Sequence, residues 1–226
     1  MKPNNHTRKV TFETEQLRQG LACFLDHPWA GTGGLPNQKV GDFKFGVYAF
    51  FDYDLEPIYV GQTRESLRSR IGRHLTNQRT DPVAMNVLDP FEVFEIEVWP
   101  LPGFEGRKTD DQEARIHLDA LEHLVHERET EKSRFGAVLN EKPPPTPKIK
   151  VELPESFRRS IVSEKVFELR AHPDYRIARR SQVLARLAQV VAERKVKEGL
   201  RHTLWVQAKR LEWLAAKRLR EDRGEG

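Results

Sequence analysis

Apolar residues recur at helical spacing early in the chain: Leu17, Leu21, Phe24 and Leu25 share one face of the stretch Glu13 to Leu25. His27-Pro28 and the glycines Gly31, Gly33 and Gly34 then end that helix in a loop. From Phe45 to Asp52 the run FGVYAFFD is aromatic and β-branched, and PIYVG from Pro57 to Gly61 is a second short strand after the turn-like DYDLE. The two predict a hairpin. Glu65 to Asn77 follows almost directly as a helix, with Leu67, Ile71 and Leu75 on its apolar side and Arg70, Arg73 and His74 beside that stripe. A third strand is predicted from Phe91 to Trp99, where apolar and acidic residues alternate with a one-residue slip at Val93-Phe94 that suggests a bulge.

After Pro100, Pro102 and Gly103, the stretch Asp110 to Glu129 is a long helix with Ile116, Ala120, Leu121, Leu124 and Val125 as its expected buried stripe. Asp110 and Asp111 at its start suit the helix dipole. Phe135 to Asn140 leads into KPPPTPK, whose four prolines favour an extended, semi-rigid linker. This is the expected domain boundary: residues 1–141 form one domain with its N-terminal helix, 142–154 a linker and 155–226 a basic helical tail. In the tail, Leu184, Leu187, Val191, Leu200, Leu204, Ala208, Leu211 and Ala215 fall on one stripe, with Gly199 as a potential break. Such a stripe needs a partner surface, which is the first domain, a second copy of the chain, or its own other half across Gly199.

Charge sharpens this division. From Val151 onward, 18 Lys and Arg stand against 11 Asp and Glu, a net +7, while the first 150 residues carry −3. The asymmetry points to a polyanionic partner for the tail, most simply nucleic acid, or to a helix face solvated by ion pairs. With 38% hydrophobic and 32% charged residues the chain is wet but has enough apolar content for a core. No run approaches the roughly 18 apolar residues of a membrane span, and the start MKPNNHTRKVTFETEQ lacks the apolar stretch of a signal peptide. A soluble, cytoplasmic protein is expected, nucleoid-associated if bacterial, with no membrane partner. The one cysteine, Cys23, excludes a disulfide scaffold and a multi-thiolate zinc site.

The residues that carry chemistry begin in the hairpin. Gly46-Val47-Tyr48 and Tyr59-Val60-Gly61 set two tyrosines on neighbouring strands, and Arg70 and His74 stand at i, i+4 on the next helix. Tyrosine hydroxyls can polarise a water or take a proton, an arginine fork can neutralise a phosphorane-like transition state, and histidine can relay protons. Together they suit phosphodiester hydrolysis. Glu122, on the helix from Asp110, supplies a carboxylate able to hold Mg²⁺ among waters. The glycines of GTGG lack the Lys-Ser/Thr of a phosphate loop, and His117, His123 and His126 form no H-E-x-x-H pattern, so neither carries a site.

On these residues the sequence resembles the GIY-YIG nuclease family. The two half-signatures read GVY and YVG, with Tyr48 and Tyr59 separated by 11 positions, and the resemblance spans roughly Phe45 to Asn140. It implies an α/β fold: a small domain with a central three-stranded antiparallel sheet flanked by helices, here extended by the basic helical tail. It further implies Tyr48 as general base or water-orienting group with Tyr59 supporting it, Arg70 as transition-state stabiliser, Glu122 as ligand of a single Mg²⁺ or Mn²⁺, and Asn140 closing the site. His74, four residues past the arginine, matches restriction enzymes built on this module. Arg70 lies nine positions after Gly61, and Arg68 is a substitute for it; Glu113 and Glu127 rival Glu122; and the 18 positions from Glu122 to Asn140 imply an inserted turn around Thr130 to Arg134. The expected function is a metal-dependent endonuclease acting on DNA, with a homodimer through the C-terminal helices as the route to a double-strand cut. The alternatives are a non-catalytic nucleic-acid-binding protein gripping its partner with the tail, and a tail that serves as a coiled-coil interaction element.

Overall fold

The computed structural model describes residues 12–76 and 87–224. Its helices are α1 (Phe12–Leu25), α2 (Leu67–Thr76), α3 (Gln112–Lys132), α4 (Glu164–Arg170), α5 (Pro173–Glu193) and α6 (Glu198–Asp222). Its strands are β1 (Gly46–Phe51), β2 (Pro57–Thr63), β3 (Glu95–Pro100) and β4 (Phe157–Ser160). Asn77, the last residue of the predicted second helix, lies outside the described residues. The strands form one antiparallel sheet in the order β2-β1-β3-β4.

The unbroken apolar run of β1 reflects burial on both faces. Val47, Ala49 and Phe51 point into a cluster with Val60, Trp99 and the α3 residues Ala114, Leu118, Leu121 and Val125. Tyr48 and Phe50 point the other way, into a cluster that joins α1 and α2 to Leu187, Leu200 and Val206 of α5 and α6. Among the described residues the sheet is therefore the middle of three layers, with α3 on one side and α1, α2, α5 and α6 on the other.

Several expectations change here. The sheet has four strands, not three, and the fourth comes from beyond the prolines. β4 escapes a pattern search because FRRS is four residues long and half arginine. It is held by cross-strand charge, Arg158 bonding Glu95 at 2.7 Å and lying 3.7 Å over the Phe51 ring. The expected bulge at Val93-Phe94 is instead the exit from a 3₁₀ turn, Pro90–Glu92, and β3 begins after it. The buried stripe of α3 is rotated toward Ala114 and Leu118, and its helix runs through Thr130 to Lys132, so the expected turn comes slightly later, at Ser133 to Gly136, where the Gly136 N–H donates to the Ser133 carbonyl at 2.9 Å.

Of the three surfaces open to the tail stripe, the structure uses two: the first half of the chain, and the antiparallel packing of α5 on α6. Gly199 does not break the helix, since the interruption falls between Glu193 and Glu198. A Cβ at Gly199 would lie 1.8 Å from the Glu141 carbonyl oxygen, so glycine is there for close backbone approach. The buried faces include Arg176, Arg180 and Arg210, which an apolar stripe does not reveal. All three converge on Asp52 in the β1–β2 turn, whose Oδ2 lies 2.6 Å from Arg210, 2.7 Å from Arg180 and 3.4 Å from Arg176. Arg180 also bonds Glu92 at 2.9 Å, and Arg176 reaches Asp54 at 2.7 Å. Burial pushes the Asp52 carboxyl up, but the three arginines outweigh it and hold it below its ordinary value. Part of the tail's positive charge thus answers acids of the same chain.

Removing one member of such a buried cluster leaves uncompensated charge. Asp52→Ala is expected to cost about 3–5 kcal/mol in urea denaturation, whereas Asp174→Ala, on the exposed Arg218 pair, is expected to leave the midpoint unchanged.

Candidate active site

The edge strand β2 organises the site. Tyr48 faces Gly61 directly across the ladder, and Tyr59 pairs with Phe50 on the same face. The Tyr48 and Tyr59 rings lie 6.2 Å apart, and the His74 ring from α2 sits 6.0 Å and 5.2 Å from them. Tyr48 is fully buried, and its hydroxyl faces the Arg70 guanidinium without a hydrogen bond of ordinary geometry among the described residues. That hydroxyl occupies space only glycine leaves free, because a Cβ on Gly61 would lie 2.6 Å from Tyr48 Oη. Arg70 reaches the same group from one turn before His74, and its buried Nε is also without a partner. Arg68, its substitute by spacing, is occupied elsewhere by Asp26, Asp42 and the Leu25 carbonyl.

The next β2 residue, Gln62, belongs to the opposite face of the sheet. Its Nε2 donates to Asp119 Oδ1 at 2.7 Å and to Glu122 Oε2 at 3.0 Å, both on α3. Glu122 and Arg70 feel each other's charge around the strand edge. The rival carboxylates are away from this point: Glu113 is exposed and pairs with Arg107, and Glu127 is exposed and pairs with His123. Asn140 takes a different position. Its side chain bonds both the Val60 N–H, at 3.0 Å, and the Val60 carbonyl, at 2.7 Å, completing the edge of β2 as a neighbouring strand would. Leu139 N–H donates to the Ile58 carbonyl at 2.7 Å, so the cover extends over residues 58 to 60 and ends before Gln62.

Where the cover ends, an open cleft of about 620 Å³ begins, lined by Gln62, Thr63, Arg64, Glu65, Arg70, Thr109, Asp110, Arg115 and Asp119. A second cleft of about 360 Å³ shares Asp110, Arg115 and Asp119 and is walled by Pro145, Thr146, Pro147 and Lys148. Among the described residues no three His, Cys, Asp or Glu side chains are placed to enclose a metal. Two carboxylates beside an open cleft fit a hard cation that keeps most of its water, as Mg²⁺ does.

Burial sets the protonation states. It is the largest cause pushing Glu122 up to about 7, with Asp119 adding to it and the Gln62 hydrogen bond and Arg70 opposing. Burial, with Arg70 and Arg73, lowers His74 to about 4, so its imidazole is neutral at neutral pH. Burial raises the Tyr48 phenol well above its ordinary value and raises Tyr59 as well.

Residues 44–103 match the model of the GIY-YIG catalytic domain, which supports reading this segment as a domain of that nuclease family. No curated protein and no solved structure matches the chain. The matched segment holds Tyr48, Tyr59, Arg70 and His74 and stops short of Glu122 and Asn140. The structure brings the first four together and places Glu122 across the strand edge from them, while Asn140 sits one step back on that edge. Sequence reading missed Asp119 and Gln62. Asp119 stands three residues before Glu122, one helical turn away, and that spacing was the available signal.

A carboxyl whose pKa is raised by folding favours the folded state below its unfolded value of 4.5, and that contribution is lost as pH rises through about 7. Glu122→Gln is therefore expected to raise the melting temperature at pH 8 in EDTA, by at most about 3 kcal/mol in stability, and to leave it unchanged at pH 4.

Proposed function

We propose that this protein is a divalent-cation-dependent endonuclease that hydrolyses phosphodiester bonds in DNA. The observation that carries this reading is the meeting of two half-sites over Gly61, with Tyr48, Tyr59, Arg70 and His74 on one face of β2 and Glu122 on the other. The matched GIY-YIG domain supplies the reaction class.

Glu122, joined through Gln62 to the cleft-lining Asp119, is the residue that would hold Mg²⁺ or Mn²⁺. The cation, when bound, supplies Lewis acidity at the scissile phosphate and its leaving oxygen. Tyr48, a neutral phenol at neutral pH, orients the attacking water through its hydroxyl, which faces Arg70, and Tyr59 keeps the ring in place. Arg70 brings a permanent positive charge to the non-bridging oxygens as charge develops there. His74, held neutral, offers a ring nitrogen as acceptor to the same group. Asn140 is a positioning residue that pins Val60 and hence the register of Tyr59 and Gly61. Arg64 and Arg115 in the cleft wall and the exposed basic residues of the tail contribute sequence-independent phosphate affinity. One module cuts one strand, so a double-strand break requires two copies.

The test is relaxation of several supercoiled plasmids by purified protein with Mg²⁺. Tyr48→Phe and Arg70→Ala are expected to lose roughly 100-fold or more in nicking rate, and Glu122→Ala and EDTA to abolish it. Plasmid bound but left intact by the wild type on every sequence tried would leave a nucleic-acid-binding protein instead. Because Glu122 must lose its proton to take a cation, nicking at low Mg²⁺ should rise with pH through about 7, and the midpoint should move down as Mg²⁺ is increased. Single-turnover rates measured from about pH 5.5 to about pH 8.5 read this out.

A further inference from the structure

We propose that Asp119 is a second carboxylate of the cation site and that the Gln62 amide is the placeholder a cation displaces. This rests on the reading of Glu122 as the cation ligand. Gln62 Nε2 is within 2.7 Å of Asp119 Oδ1 and within 3.0 Å of Glu122 Oε2, so a single nitrogen stands between two acidic side chains. A neutral amide carries only partial positive charge and offsets two carboxylates poorly, whereas a divalent cation matches them. Asp119 and Glu122 stand at i, i+3 on a helix packed firmly on the sheet through Ala114, Leu118, Leu121 and Val125, so neither can swing away from the other cheaply. Gln62 sits where the covering of the β2 edge ends, free of the Asn140 contact that fixes Val60.

One further feature lies beside this pair. On the other side of Gly61, the fully buried Tyr48 hydroxyl faces the Arg70 guanidinium, and neither that hydroxyl nor the buried Nε of Arg70 completes a hydrogen bond of ordinary geometry among the described residues. Both groups feel the charge of Glu122 around the strand edge. Asp119 also lines both clefts, which gives a hydrated cation an approach to it from solvent. Asp110 lines the same two clefts without touching Gln62, and it serves as the control carboxylate.

The test is calorimetric titration of Mn²⁺ into the full-length protein at pH 8 without DNA, with Mn²⁺-dependent thermal shift as a second readout. Asp119→Asn is expected to weaken Mn²⁺ binding by about tenfold or more, Glu122→Gln to remove it, and Asp110→Asn to leave it as in the wild type. Gln62→Ala is expected to bind Mn²⁺ at least as tightly as the wild type, because no amide has to be displaced. Wild-type affinity in Asp119→Asn alongside lost binding in Glu122→Gln would overturn the part given to Asp119. Weaker binding in Gln62→Ala would overturn the part given to Gln62. Wild-type affinity in Glu122→Gln would instead overturn the underlying cation reading. The melting temperature of each variant in EDTA confirms folding, and Asp119→Ser replaces Asp119→Asn if the latter does not fold.

Discussion

Asp52 is buried at the turn between β1 and β2, and three arginines from α5 and α6 point at one of its carboxylate oxygens. A carboxylate in that position without cations around it would carry a large desolvation cost, as would the arginines without it. Each half of the chain therefore needs the other to neutralise what it buries. The arrangement ties the hairpin that carries Tyr48 and Tyr59 to helices that begin more than 110 residues later, since Arg180 and Asp52 are 128 positions apart. It also brings α6 against the Asn140 segment, where Gly199 lets the helix backbone meet the Glu141 carbonyl. The cover over the β2 edge is held from behind by the tail.

That edge is where chemistry concentrates, for a geometric reason. Alternate residues of a strand point to opposite faces, so a site confined to one face of β2 would include Tyr59 and Gly61 but not Gln62. At an edge, side chains from both faces can meet around the strand. Asn140 and Leu139 satisfy the outward backbone groups up to Val60, and the strand is left open beyond it, where the cleft starts. Gly61, without a side chain, lets the Tyr48 hydroxyl reach that boundary.

Burial then sets the protonation state of each group. His74 stays neutral beside two arginines, Tyr48 stays a phenol, and Glu122 is pushed up to about 7, where the proposed cation would compete with a proton for it. The tail's charge takes on a double character. Its buried arginines are structural counterions to Asp52, Asp54 and Glu92, and only its exposed basic residues remain for a polyanion.

The local elements were legible in the residues because they follow from short-range rules. The hairpin, the helix of Arg70 and His74, and the long helix of Glu122 announce themselves by period and by turn residues, and both tyrosines are recognisable by their half-signatures. Arg68, the substitute for Arg70 by spacing, is engaged by Asp26 and Asp42, a pairing that no local pattern announces. Patterns failed where a residue's role depends on a distant partner. FRRS becomes a strand only because Glu95 and Glu97 of β3 await Arg158, and Arg176, Arg180 and Arg210 are buried only because Asp52 and Glu92 lie beneath them. A hydrophobicity pattern counts an arginine as outward facing, and so it found Leu187 and Leu200 in the tail's buried faces but missed the arginines among them. Asp119 and Gln62 were invisible for the same reason, since nothing within either segment indicates that an amide on β2 will stand between two carboxylates of α3. The sequence by itself determined the helices, the hairpin and the side chains available for chemistry, all consequences of backbone periodicity. Only the tertiary structure decided which charges meet, because pairing across more than a hundred residues is set by packing and desolvation rather than by spacing along the chain.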